Sequence, residues 1–263
     1  MADSLERVPE DPGDLYDYRD ADHIPLWLPY NQGDVFRDVP IPEVLGGGVG
    51  LAMLFMHPCT MREGASIRHL QTVIKVDVKT KRKVLGPDQW EGWFKGMPLP
   101  DLDNGQHSTH QADFMRIWTV SATDLPRDHR ISQLSHSGRL ILQQRLVHHL
   151  VRYAPDLRVV ESVTLPVSEE ILLQGEWVSL GLMALGKNES DITAIHDLES
   201  LFDECMNDRP DGSELTLRKM LELEGERRDA HNVVNARIAK FPDGLELPKR
   251  EPDAESDGRR HDG

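Results

Sequence analysis

The residues with the widest chemical range are two short histidine groups. His57 and Cys59 stand two apart in HPCT, and His107 and His110 stand three apart in HSTHQAD, with Asp113 just behind. Thiolate and imidazole are zinc ligands, and a loop spacing of three can set two imidazoles on one ion. The spacing is neither that of a zinc finger nor the helical H-E-x-x-H pattern. Ordinary surface histidines are therefore the competing reading, and no metal is expected. Cys59 also has the makings of a nucleophile, with His57 or another histidine as base. No helix N-terminus stands behind it in the sequence to favour the thiolate, so the competing reading is a buried structural cysteine. Cys205 falls on the apolar face of an expected helix and reads as packing.

A second group is basic. Arg145, His148 and Arg152 follow one another at spacings of three and four, the period of one helical face, and Arg139 lies a turn or two before. The stripe is either a solvated face that partners the acidic flanks or an anion site, for which the guanidinium fork suits. Trp90, Trp93 and Phe94 are either base-stacking platforms or the plug of a small core. The run LGGGVG at 45–50 lacks the Gly-Lys-Ser/Thr ending of a phosphate loop and reads as a strand connection. No cofactor motif is complete, and no cofactor is expected.

Charge partition frames these groups. Of the 263 residues, 38% are hydrophobic, 29% charged and 6% aromatic, and the net charge is −15. Residues 1–60 carry −8, residues 61–160 carry +5 with seven of the twelve histidines, and residues 161–263 carry −12. That global charge repels phosphate and disfavours a protein that wholly coats nucleic acid. No apolar run approaches the length of a membrane span. The acidic start is not a secretory signal, and two cysteines make no disulfide framework, so the expected compartment is the reducing cytoplasm.

The elements that must position these residues follow from periodicity. Residues 1–23 read as an acidic, disordered arm, and HIPLWLPY at 23–30 as an extended segment laid on a domain surface. Strands are expected at 35–39, 51–56, 71–78 and 114–122, with a short one within 128–134. In 114–122, Phe114, Arg116, Trp118 and Val120 share one parity. Helices are expected from Arg139 to Tyr153 capped by Ser137, from Glu169 to Leu185 capped by Ser168, over about 191–206, and as one long charged helix over about 214–240. The organisation is an arm (1–23), a β-rich, barrel-like domain (24–135), a helical region packed on it (136–241) and a disordered charged tail (242–263). The fold class is α+β, a small SH3-like β-barrel followed by helices.

GDVF at 33–36, the glycine-rich hairpin, LAMLFMHPCT at 51–60 and TVIKVDVKT at 72–80 together resemble the start of the MazF/PemK-like toxins. The resemblance covers about fifty residues and implies an SH3-like barrel and metal-independent, sequence-selective RNA cleavage. It implies an arginine just before the second strand and a Ser/Thr after the third. Thr80 stands at the latter position, but Val49 or Gly50 occupies the former; Arg62 and Arg68 are the neighbouring arginines. Two main readings stand. One is a non-catalytic binding or regulatory protein, with a homodimer as one arrangement, whose basic middle (Arg139, Arg145, His148, Arg152, with Trp90 and Trp93) meets a protein or anionic partner. The other is a toxin-type endoribonuclease using Thr80 with Arg62 or Arg68, and RNA as partner. A third is a metal-dependent hydrolase built on His57, Cys59, His107 and His110.

Overall fold

The computed structural model describes residues 5, 6, 9, 11–19, 24–79, 94–102, 109–245 and 247. The fold is α+β. Among the described residues nine strands form in chain order: β1 (Tyr16–Tyr18), β2 (Val35–Pro40), β3 (Val49–Leu54), β4 (Arg62–Glu63), β5 (Ser66–Ile67), β6 (Leu70–Lys79), β7 (Gly96–Leu99), β8 (Thr109–Ser121) and β9 (Arg130–Leu134). Seven make an antiparallel sheet in the order β1-β9-β2-β3-β6-β8-β7, and β4 and β5 make a separate ribbon. Five longer helices follow: α1 (His136–Val151), α2 (Leu157–Ala184), α3 (Ile192–Asn207), α4 (Leu217–Glu222) and α5 (Arg227–Ile238).

The middle of the sheet is buried on both faces, which is why LAMLFM reads as a continuous apolar run. From β3, Met53 packs into one core with Ile74, Met97, Leu99 and Phe114, under Ile141, Leu142 and Leu146 of α1. Ala52 and Leu54 face the other way, into a core with Phe36, Val39, Val73 and Trp118. Bulges break the simple alternation. In β2 the register slips between Phe36 and Val39, with Asp38 at φ 58°, so both apolar residues reach the same core. In β8 the partners of Ile74 and Lys75 jump from Ile117 to Asp113. The expected single face of Phe114, Trp118 and Val120 is thereby split, Phe114 entering the first core and the other two the second.

The described sheet is open, with β1 and β7 as its edges. The edges are linked by side chains in place of a backbone ladder: Tyr16 Oη donates to the Pro100 carbonyl at 2.9 Å, and Arg19 meets Asp101 at 3.4 Å. The expected disordered arm is ordered where apolar residues anchor it. Leu15 is fully buried, Tyr16 pairs with Leu134, and Ser135 N–H donates to the Leu15 carbonyl at 2.9 Å. Gly138 lets that carbonyl approach, since a Cβ there would lie 2.3 Å from the Leu15 oxygen.

The helices start and stop differently from the expectation. Ser135, not Ser137, caps α1 by accepting from Gly138 N–H at 3.1 Å. α2 starts twelve residues before Glu169, capped by Asp156, and contains Pro166. A proline inside a helix removes one backbone bond but does not end it when both flanks are packed. The long helix over 214–240 is two helices, α4 and α5, with Gly225 in the break. Their apolar residues, Leu217, Leu221, Ala230 and Val234, join Trp177, Leu198 and Phe202 in a third, helical core. The disordered tail expected over 242–263 is ordered at its start: Phe241–Gly244 form a helical turn, and Leu245 and Leu247 pack against the helical core, because these apolar residues anchor it; residues 246 and 248–263 lie outside the described residues.

Candidate functional site

The seam between sheet and helices holds a buried polar network. Arg130 of β9 and Asp34, just before β2, form an ion pair at 3.1 Å with both side chains 0% exposed. Arg130 also donates to the carbonyls of Pro25, Leu28 and Pro29 at 3.1–3.2 Å. Arg127 donates to Leu26 and Leu28 carbonyls and to Glu199 of α3, the last at 2.6 Å. The Tyr30 ring lies 4.9 Å from the Arg127 guanidinium. Gln174 of α2 donates to Glu199 at 3.0 Å and accepts from Arg62. Burial pushes the Asp34 carboxyl up, against the downward pull of Arg130. Residues 25–29 of the apolar segment thus supply the carbonyls that two guanidinium groups need when they leave water.

Arg62 belongs to this network. It is 9% exposed, and its Nη2 donates to the Ala65 carbonyl at 3.0 Å and to Gln174. Arg68 is exposed, and its Nε donates to the Arg62 carbonyl at 3.0 Å. The strand following the hairpin opens at Val49, so no arginine enters at that point. Thr80, Trp90, Trp93 and His107 lie outside the described residues.

The exit of β3 builds a thiol site. His57 caps the helical turn Pro58–Met61, its Nδ1 accepting from Cys59 N–H at 3.4 Å. The same nitrogen stands 3.0 Å from Cys59 Sγ. Cys59 is exposed, which overturns the reading as a buried structural cysteine. Desolvation holds the His57 imidazole below its ordinary pKa. Beside the thiol opens a cavity of about 230 Å³ lined by Cys59, Arg62, Pro166, Glu170, Arg218 and Glu222. Arg218 is held by Glu170 at 3.0 Å and Asp203 at 2.7 Å. Cys205, in contrast, is buried in the helical core as its spacing implies. His110 is buried on β8, and among the described residues no group of three or more His, Cys, Asp or Glu could hold a metal ion.

The basic stripe does not form one surface. Arg145 is fully buried, donates to the Glu6 carbonyl at 3.1 Å, and is pulled by desolvation down to about 10. Arg139 turns the other way, to the Leu134 carbonyl and to Asp17 at 3.7 Å. There it borders a groove of about 380 Å³ with Trp27, Leu172 and Leu180. His148 and Arg152 remain at the surface, where Arg152 (φ 59°) ends α1 and lies 4.5 Å over the Phe94 ring. Burial, then repulsion from Arg152, Arg145 and His149, lowers the His148 pKa. Around them the corner between α1 and α2 exposes apolar side chains: Leu150 at 70%, Val151 at 64% and Tyr153 at 55%, with Val159 and Val163 on α2. Of α1, the core takes Ile141, Leu142 and Leu146, while Leu150 and Tyr153 stay outside it. The chain matches no family model and no curated protein, and no described helix is long and apolar enough to cross a membrane.

Proposed function

We propose that the chain is a binding protein whose contact surface is the α1–α2 corner, and that its partner is an acidic protein segment carrying apolar anchors. The carrying observation is the exposure of Leu150, Val151 and Tyr153 around Arg152. Val147, Leu150 and Val151 fall at i, i+3 and i+4, one face of α1, and none of the three enters the core. Exposed apolar residues clustered in this way mark interaction surfaces more than scattered ones do. The charged groups on the α1 side, His148, His149 and Arg152, are basic, while Asp156 and Glu161 on the α2 side are paired with Arg158 and His136 and the chain as a whole is strongly acidic. A second copy docking this face on itself about a two-fold axis would set Arg152 near its own counterpart, which disfavours a homodimer here. An acidic partner segment gains from both components.

The open antiparallel sheet is, on this reading, an SH3-like scaffold used for support and not for RNA cleavage. The pieces of the MazF/PemK resemblance fall on β2, β3 and β6, which are adjacent and antiparallel in that order. Arg62, however, is committed to Gln174 and Ala65, and Val49 takes the place of the arginine.

The test is selection from a displayed library of random 16-residue peptides, with the wild-type chain and the Leu150→Asp and Arg152→Glu variants as baits. Enrichment of Glu/Asp-rich peptides with apolar residues at helical spacing, lost on both variants, supports the proposal. Equal enrichment on all three baits overturns the site. RNA bound or cut in chelator, with no peptide enriched, overturns the reading in favour of the toxin-type nuclease.

A further inference from the structure

The later half of α2, away from the corner, borders the groove of about 380 Å³. That volume falls within the range of small-molecule sites, about 300–1,000 Å³. Leu172, Glu176, Ser179 and Leu180 stand at helical spacing on one face of α2, and all four line the groove. Trp27, Leu28 and Pro29 supply a second wall. The Trp27 ring comes close to α2 beside Glu176: its Cζ3 is 3.6 Å from where a Cβ on Gly175 would stand. Leu172 is 68% exposed and Trp27 only partly buried, so the groove keeps large apolar walls open. Its lining carries three charges, Asp17, Glu176 and Arg139. Arg139 is already answered, by Asp17 at 3.7 Å and by the Leu134 carbonyl. Glu176 is not: among the described residues no hydrogen bond or ion pair engages its carboxylate. The groove therefore has one negative charge in excess, set next to an indole ring and a row of apolar side chains. An anionic ligand would meet Glu176 with like charge, and a neutral one leaves it unanswered. An ammonium gains from the carboxylate and from the indole face, the best cation–π partner among side chains.

We propose that this groove is a binding site for a small organic ammonium with an apolar body. Glu176 pairs with the ammonium, and Ser179, one turn further along α2, accepts one of its N–H bonds. Trp27, Leu172 and Leu180 cover the apolar body. The site is independent of the α1–α2 corner, which uses the opposite end of α2, at Val159 and Val163, and the opposite sign of charge.

The test is a chemical-shift titration of the isotope-labelled full chain, read at the indole N–H signal that Trp27→Phe removes. The probes are phenethylammonium, neutral phenethyl alcohol and anionic hydrocinnamate, which share a phenyl body and differ in charge. The result expected is a saturable shift of the Trp27 signal. The ammonium should bind about threefold tighter than the alcohol, the worth of one partly exposed ion pair, and hydrocinnamate should bind weakest. Glu176→Gln keeps the size of an exposed side chain, so the chain should fold. It should erase the preference for the ammonium and leave the affinity for the alcohol unchanged. Leu150→Asp, at the corner, should leave all three titrations as they are in wild type. No saturable shift with any probe, or its loss in a folded Leu150→Asp chain, overturns the site. Equal affinity for ammonium and alcohol, tighter binding of hydrocinnamate, or an undiminished preference in a folded Glu176→Gln chain overturns the ammonium as its ligand.

Discussion

Replacing Asp34 by Asn should be among the most destabilising conservative changes in the molecule. Both side chains of the Asp34–Arg130 pair are 0% exposed. Asn keeps the size of Asp and an oxygen for the Asn31 N–H, which donates to Asp34 at 2.9 Å, so packing changes little. What changes is charge. Arg130 retains the carbonyls of Pro25, Leu28 and Pro29, but dipoles do not neutralise it, and its Nε has no partner. Breaking one side of a buried pair costs about 3–5 kcal/mol. The surviving carbonyls place the expected loss near the lower figure, about 3 kcal/mol, a large share of a typical stability of about 5–15 kcal/mol. In urea the midpoint should fall by about 1 M or more at an unchanged slope. Replacing both partners, Asp34→Leu with Arg130→Met, should recover most of the loss, because two apolar side chains leave no buried charge. A loss under about 1 kcal/mol for Asp34→Asn, or a double variant no better than the single one, would refute the view that this pair closes the seam.

Three further outcomes are expected. Gly138→Ala brings a Cβ to 2.3 Å from the Leu15 carbonyl oxygen, so it should expel β1 from the sheet edge, at a cost of about 1–3 kcal/mol, seen as faster proteolysis within residues 11–19. Ser135→Ala removes the α1 cap and should cost about 1 kcal/mol in thermal or urea melts. Asp191 caps α3, and its carboxyl is held below the ordinary value chiefly by the Ala194 N–H. A lowered folded pKa gives stability that is present above the unfolded value near 3.8 and lost as pH falls through the folded one. Asp191→Asn should therefore be less stable than wild type at pH 7 and match it near pH 2, measured by parallel urea melts.

Most strands were legible because their apolar residues alternate or run on without a break. The continuous run at 51–56 signalled a strand buried on both faces, and Met53 and Leu54 do pack into opposite cores. β1 was hidden because two apolar residues, Leu15 and Tyr16, hold it inside an acidic stretch, and composition averages them away. The barrel expectation met an open sheet whose edges are joined by Tyr16 and Arg19. The β8 bulge was invisible because parity along a strand assumes an even register. α2 was cut short because Pro166 reads as a stop, although the packed residues on either side carry the helix through it. Of the candidate site, the HPCT pair was legible as chemistry, but its exposure and its cavity come from chain segments more than a hundred residues apart. The basic stripe failed on helical phase: Arg145, three residues before His148, turns inward to the backbone of Glu6. Asp34, Arg127, Arg130, Gln174 and Glu199 carried no motif, since a buried network is a property of the assembled seam.

The central claim is that the α1–α2 corner receives an acidic, apolar segment. It is tested most directly by fluorescence titration with two helical peptides that share leucines at i, i+3, i+4 and i+7, one filled with glutamate and one with lysine. The wild-type chain should prefer the acidic peptide, and Arg152→Glu should shift that preference about tenfold toward the basic one. That factor corresponds to a surface attraction of up to about 1 kcal/mol turned into repulsion, and it should shrink in 1 M salt. Leu150→Asp should weaken both peptides. Equal affinity of wild type and Arg152→Glu for each peptide, at low salt, would contradict the account.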